Sequence, residues 1–234
     1  MENPTAVPGD EFLEELEGLR RQHLKGGLLR PRRHYNSKEE IAAARRKYHL
    51  GGDNNHRFEG ERYLNCTDKA VRRQQLRKLI DEGGETTVGG KMPSHPILAR
   101  WESHEVGLTD NDINELEISD ANPETLIVWG WRVNLHRTGH WAVAIGSSLV
   151  GEGEKRIPGI RERLLSDIEA MKENYAALGV KNVERALAFH IEHADVDIDH
   201  AEFGADVVRK HVNTPQLQEQ MRKAFVLTLH MKGF

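Results

Sequence analysis

The stretch "HIEHADVDIDHAEF", residues 190 to 203, gathers three histidines and five acids. Imidazole nitrogen and carboxylate oxygen bind metal ions and move protons, provided the side chains share a face. Residues 182–210 hold no proline and one glycine, so the stretch reads as the middle of a helix. At about 100° per residue, His193, Asp197 and His200 stand at i, i+4 and i+7, within roughly 60° of one another. Glu192, Asp195, Asp199 and Glu202 point elsewhere. Ala186, Phe189, Val196, Phe203 and Val207 lie on or beside the stripe, which turns it toward the core. Two imidazoles and a carboxylate are expensive to bury unless something satisfies them. A metal ion does this well, and nitrogen with carboxylate oxygen suits iron, manganese or zinc. Asp197 and His200 also match the i, i+3 carboxylate–histidine pairing by which helical bundles hold two metals. The competing readings are a hydrogen-bonded core network and a solvated face of a charged helix.

A second stripe lies upstream. In "LIVWGWRVNLHRTGHW" (126–141), Arg132, His136 and His140 recur every four residues. They are candidate substrate-binding residues, since arginine grips a carboxylate with two parallel hydrogen bonds. A polar face at a helix or subunit contact is the alternative. Trp129, Trp131 and Trp141 read as packing residues. "ETTVGGKM" (85–92) resembles a phosphate loop only superficially: it starts on Glu, ends on Met and follows no strand.

The elements that must position these groups are helices. "DEFLEELEGLRRQ" spaces Phe12, Leu13, Leu16 and Leu19 as a helix does, acids early and bases late. Further helices are predicted over 36–50, over 67–82 with Thr67 or Asp68 as cap, over "ILARWESHEVG", and from 109 to 118. A long segment runs from Pro123 to Leu149, followed by helices over 157–179, 182–210 and 215–231. Gly179 reads as the residue that ends one helix, and Asn213 or Thr214 caps the last. "GGETTVGGKMPSHP" (83–96) is a loop. No strand pair and no repeat is evident. The fold class is all-α, a bundle of seven or eight helices, with residues 1–9 a flexible tail and 10–234 one domain.

Composition excludes several classes. The 234 residues carry a net charge of −4 and no basic stripe beyond the local "RPRRHY" cluster at 30–35, so nucleic-acid binding is not expected. No apolar run approaches a bilayer span, and the first residues lack the basic and apolar parts of a signal peptide. Cys66 is the one cysteine, which rules out an internal disulfide and a CxxC zinc site. The reading is a cytoplasmic protein without a membrane segment.

The "HADVDIDH" motif and its surroundings resemble the heme-oxygenase-like dimetal oxidases and oxygenases, relatives of pyrroloquinoline-quinone synthase and the chlamydial death-domain-associating protein. The likeness runs from about Lys47 onward. The family's last ligand helix carries H-x3-D-x2-H, here 193–200. "CTDKAVRRQQLRKLIDEGG" looks like its helix ending in an acidic ligand, "SHPILARWESHEVGL" like its His-Pro segment, and "EKRIPGI" like its Glu-x3-Pro turn. The resemblance implies a heme-oxygenase-like bundle and a ligand set of Glu82, His95, Glu154, His193, Asp197 and His200. Glu85 competes with Glu82 across the long "GGETTVGGKMPS" connection. Glu152 competes with Glu154. A helix unbroken from 123 to 155 puts His140, Ser147 and Glu154 on one face and Glu152 about 120° away, which favours Glu154.

By the same resemblance the cofactor is two iron ions, or iron with manganese, with O2 as co-substrate. The substrate implied is a small amino acid, amine or fatty acid, and Arg132 with its polar stripe favours an amino-acid- or amine-like one. The outcome is N-oxygenation, desaturation or oxidative C–C cleavage. A homodimer and an external electron donor are the implied partners. The thiaminase-type branch uses a cysteine nucleophile, and no cysteine occurs in the later helices here. Two rival readings stand beside this one: metal-free oxidation of the quinone-synthase type, and a non-catalytic helical binding module.

Overall fold

A computed structural model describes residues 5–23, 34–51, 55–86, 92–116, 121 and 123–231. Twelve α-helices and one 3-10 turn are found among them, and no extended strand; Thr86 and Pro93 form an isolated bridge. The order is α1 (Gly9–His23), α2 (Lys38–Gly51), α3 (Asn55–Asn65), α4 (Lys69–Gly83), α5 (His95–Glu105) and α6 (Asp110–Asn114). Then follow α7 (Pro123–Thr138), α8 (Trp141–Gly146), α9 (Leu149–Glu152), a 3-10 turn (Gly153–Arg156), α10 (Ile160–Ala177), α11 (Val183–His211) and α12 (Pro215–Met231). The all-α class is as the sequence implies. The count exceeds seven or eight because α8 and α9 are short pieces of what reads as one long segment, and because α3 carries no strong sequence signal.

The axis of the bundle is α11, whose 29 residues span about 43 Å. It packs against α5, α10, α8 and α1, so it is walled on most sides by protein. Its start is fixed by Asn182, whose side chain accepts the Arg185 amide at 3.1 Å. One core lies between α11 and α1, α8, α9 and α12, and includes Phe12, Leu16, Ile145, Val208 and Phe225. A second joins it to α2, α5 and α10 through Ile41, Ile168, Tyr175 and Leu187. The tight approach of α8 to α11 requires Gly146, where a Cβ would stand 2.5 Å from Val208 Cγ2. Gly179 adopts φ +77 after α10, the left-handed turn that glycine permits at a helix end.

Two expectations are corrected here. The segment 123–155 is not one helix. α7 stops at Gly139, where a Cβ would meet the Leu135 carbonyl at 2.6 Å. His140 then restarts the chain as the N-cap of α8, its Nδ1 accepting the Ala142 amide at 3.3 Å. The 1–9 tail is also shorter than expected: Val7 and Gln218 exchange hydrogen bonds of 2.9 and 2.7 Å. Residues 30–33 of the basic cluster and 87–91 of the Gly-rich loop lie outside the described residues. No helix among the described residues is long and apolar enough to cross a membrane.

Candidate functional site

α4 and α5 bring the first two expected groups together. Asp68 caps α4, accepting the Ala70 and Val71 amides, and α4 runs to a last turn that holds Asp81 and Glu82. The connection to α5 is clipped at its ends: the Ser94 amide donates to the Glu85 carbonyl at 3.2 Å, and its hydroxyl donates to the Gly84 carbonyl. His95, the first residue of α5, is thereby set with Nδ1 3.5 Å from Glu82 Oε1. Glu85 is exposed, so Glu82 is the acid at this point.

The α11 stripe meets that pair. The His95 and His193 ring centres are 4.0 Å apart, and those of His95 and His200 are 6.4 Å apart. His193 Nδ1 lies 2.8 Å from the Phe189 carbonyl one turn back. A carbonyl only accepts, so Nδ1 carries the proton and Nε2 keeps its lone pair. Burial and the neighbouring His95 charge hold the His193 imidazole well below its ordinary pKa. It is therefore neutral, with one nitrogen tethered and the other open. Metal-binding histidines are oriented by this same arrangement. His200 Nε2 stands 3.4 Å from Asp81 Oδ2.

A polar cavity of about 210 Å³ adjoins this cluster, and Glu82, Arg132, Glu152, His193 and Asp197 border it. Glu59 and Arg62 of α3 border it too; neither is predicted from sequence, because "NHRFEGERYLN" shows no clear apolar period. Glu59 is buried, which alone would raise its pKa, but the Arg62 and Lys78 charges bring it down to about 2. Lys78 Nζ lies 2.6 Å from Glu152 Oε1. Lys155 Nζ lies 3.6 Å from Asp197 Oδ2.

The remaining expected residues separate. Glu154 is not on the cavity wall; its Oε2 stands 4.0 Å from Arg20 Nη1. Glu152 takes the wall position. The heptad argument for Glu154 assumed a continuous helix, and the breaks after Gly139 and Gly146 reset the register. Of the second stripe only Arg132 reaches the cavity. Its guanidinium lies 3.9 Å over the Phe58 ring, and burial together with Arg62 lowers its pKa to about 10. His136 is fully buried with its ring edge-on to Phe58. His140 caps α8 and stacks on Trp141. Neither is a cavity residue. Cys66 is buried and its thiol donates to the Asp68 carbonyl at 3.5 Å; it borders neither this cavity nor the groove between α4 and α11.

Do these residues suit a metal? Among the described residues no three His, Cys, Asp or Glu side chains already converge on one point as ion ligands. Several buried polar atoms nevertheless have no hydrogen-bond partner. His95 is 0% exposed and neither ring nitrogen makes a hydrogen bond; His200 Nδ1 and Glu152 Oε2 are buried without a partner as well. Orphaned buried polar atoms are rare in native proteins, and here they adjoin the open His193 nitrogen. The donor types fit Fe(II) or Mn(II). Asp197 and Glu152 face lysines instead and would have to turn.

No protein-family model matches the chain, and no curated protein sequence matches it. Among solved structures it is similar to the 2.54 Å crystal structure of a TenA homolog from Pseudomonas syringae pv. tomato str. DC3000. The TM-score is 0.63 and the identity 13%, over 98% of this chain and 93% of that one. At that identity the likeness is one of fold and not of function: the chain is an all-α bundle that shares the fold of that TenA homolog.

Proposed function

We propose that the chain is a metal-dependent oxidoreductase that activates O2 and oxidises a small amino-acid- or amine-like substrate. The observation that carries this reading is the set of buried donor-type atoms without hydrogen-bond partners at His95, His200 and Glu152, beside the second ring nitrogen of His193. Glu82, His95, His193, Asp197 and His200 would hold the metal, two iron ions or iron with manganese, with Glu152 taking the role first given to Glu154. When bound, reduced iron supplies electrons to O2. The chain's own contribution is positional. Phe189 fixes the His193 tautomer, Asp81 orients His200, and α4, α5 and α11 exclude water around His95. An external electron donor and a homodimeric assembly belong to the same reading.

A second reading has one observation in its favour. Lys155, Lys78 and Arg20 already face Asp197, Glu152 and Glu154, as befits a metal-free oxidase whose histidines act as acid and base. The test is iron per chain after anaerobic Fe(II) loading, for wild type beside His193→Ala. About two irons in wild type with a clear loss in the variant support the metal reading. Iron near zero in both, with circular dichroism unchanged, moves the assignment to the metal-free one.

A further inference from the structure

α11 has a second open face. Arg77 and Asp81 of α4 look across at Val196, Asp199, His200 and Phe203 of α11, each row at helical spacing. The rows do not close on each other. They leave a groove of about 320 Å³, at the small end of the range for small-molecule sites. One part of it is buried and polar: Asp81 and His200 are 7% and 8% exposed, 3.4 Å apart at the ion-pair atoms, and His200 Nδ1 has no partner. Another part is apolar, through Val196 and Phe203.

The charges of the groove and of the polar cavity are used differently. The cations that border the cavity are engaged, Arg62 with Glu59 at 2.5 Å and Arg132 over the Phe58 ring, and Lys78, which borders the groove, reaches across to Glu152 on the cavity wall. In the groove, Arg77 and Asp199 are exposed. Among the described residues neither has an ion-pair or hydrogen-bond partner, so they stand further apart than the 4.0 Å of a salt bridge. Unpaired charges of opposite sign, an apolar wall and a buried polar end together describe a ligand. It carries both signs and a short apolar arm.

We infer that this groove binds a zwitterionic α-amino acid with an apolar side chain. Its carboxylate meets Arg77, its ammonium meets Asp199 with Glu192 nearby, and its side chain lies along Val196 and Phe203. The amino acid thus reaches His200 from the groove between α4 and α11 rather than from the cavity that Arg132 borders, and the carboxylate grip expected of Arg132 passes to Arg77. That this ligand is the substrate rests on the proposed function; its binding does not.

The experiment is isothermal titration of the purified full chain, as isolated and after Fe(II) loading, with each of the common L-α-amino acids at low salt. The best binder is then compared with its amide, which lacks the carboxylate, and with its des-amino acid, which lacks the ammonium. We expect a Kd below about 10 mM for at least one apolar amino acid, and a loss of about tenfold for each truncated analogue. Arg77→Gln and Asp199→Asn should each lose about tenfold, and Arg132→Gln nothing. No binding by any amino acid overturns the inference; so does a loss in Arg132→Gln with none in Arg77→Gln. Iron content is read on the same samples. Amino-acid binding without iron leaves the groove standing and sinks the metal reading, and iron without amino-acid binding does the reverse.

Discussion

Glu102 joins the elements that carry the candidate site, and its removal has a calculable cost. It lies fully buried on α5, seven residues beyond His95. Arg45 of α2 approaches it at 2.9 Å, His190 of α11 at 3.2 Å, and the Tyr175 hydroxyl of α10 donates to it at 2.6 Å. Burial alone would raise its pKa, but the His190 and Arg45 charges outweigh that and hold it at about 2 against an ordinary 4.5. A carboxyl so lowered contributes about 3 kcal/mol at neutral pH. The contribution is complete above the unfolded pKa and is lost as pH falls toward the folded one; by pH 3.5 about 1 kcal/mol of it is gone. Glu102→Gln keeps the shape and removes the charge. Urea unfolding should therefore show a deficit of about 3 kcal/mol at pH 7 that narrows by about 1 kcal/mol at pH 3.5. The deficit between wild type and variant isolates Glu102 from the other acids. A deficit under about 1 kcal/mol at pH 7, or one that stays constant between the two pH values, would refute the reasoning.

Three further outcomes are expected. Glu152→Gln should lower iron stoichiometry while Glu154→Gln leaves it unchanged, as read by elemental analysis after anaerobic loading; the opposite pattern restores Glu154 to the site. Lys155→Met should tighten Mn(II) binding about tenfold, measured by the free-ion signal in electron paramagnetic resonance, because it removes the cation that competes for Asp197. The gain should vanish in an Asp197→Asn background. Gly146→Ala should cost 1 kcal/mol or more, of order the usual overpacking penalty of about 1–3 kcal/mol, because its Cβ would meet Val208. Gly60→Ala, in a helix with nothing within 4 Å of the new carbon, should instead stabilise by roughly 0.5–1 kcal/mol; thermal melts of the pair report both signs.

What was legible in the sequence was what local chemistry determines. α12 is found at Pro215–Met231 as read, with the Thr214 hydroxyl accepting the Leu217 amide at 3.2 Å. α11 begins and ends within a residue of its expected limits, and its His193–Asp197–His200 face follows from helical geometry alone. The convergence of His95 with that face is not contained in spacing, and came only with the resemblance. The errors share one cause. His140 and Glu154 were placed by extending a helix through Gly139, Ser147 and Gly153, and each break there rotates whatever follows. Glu59 and Arg62 were missed for a different reason: α3 buries charged side chains in mutual ion pairs, so its inward face does not look apolar.

The proposed nitrogen donors and Asp197 ride on long helices, and Glu152, proposed as a further oxygen donor, rides on a jointed stretch. Between Thr138 and Ile160 the chain is a series of short pieces, and the breaks between them, unlike the packed face of α8, leave room for a residue to be gained or lost. Over evolutionary time such a segment can slide while the rod beside it stays fixed. Relatives of this chain should therefore share the H-x3-D-x2-H spacing almost invariantly, yet place their third carboxylate at drifting distances from it. A pattern search with fixed gaps would then recover the rod and lose the joint, and relatives would be better recognised by superposing backbones than by aligning letters.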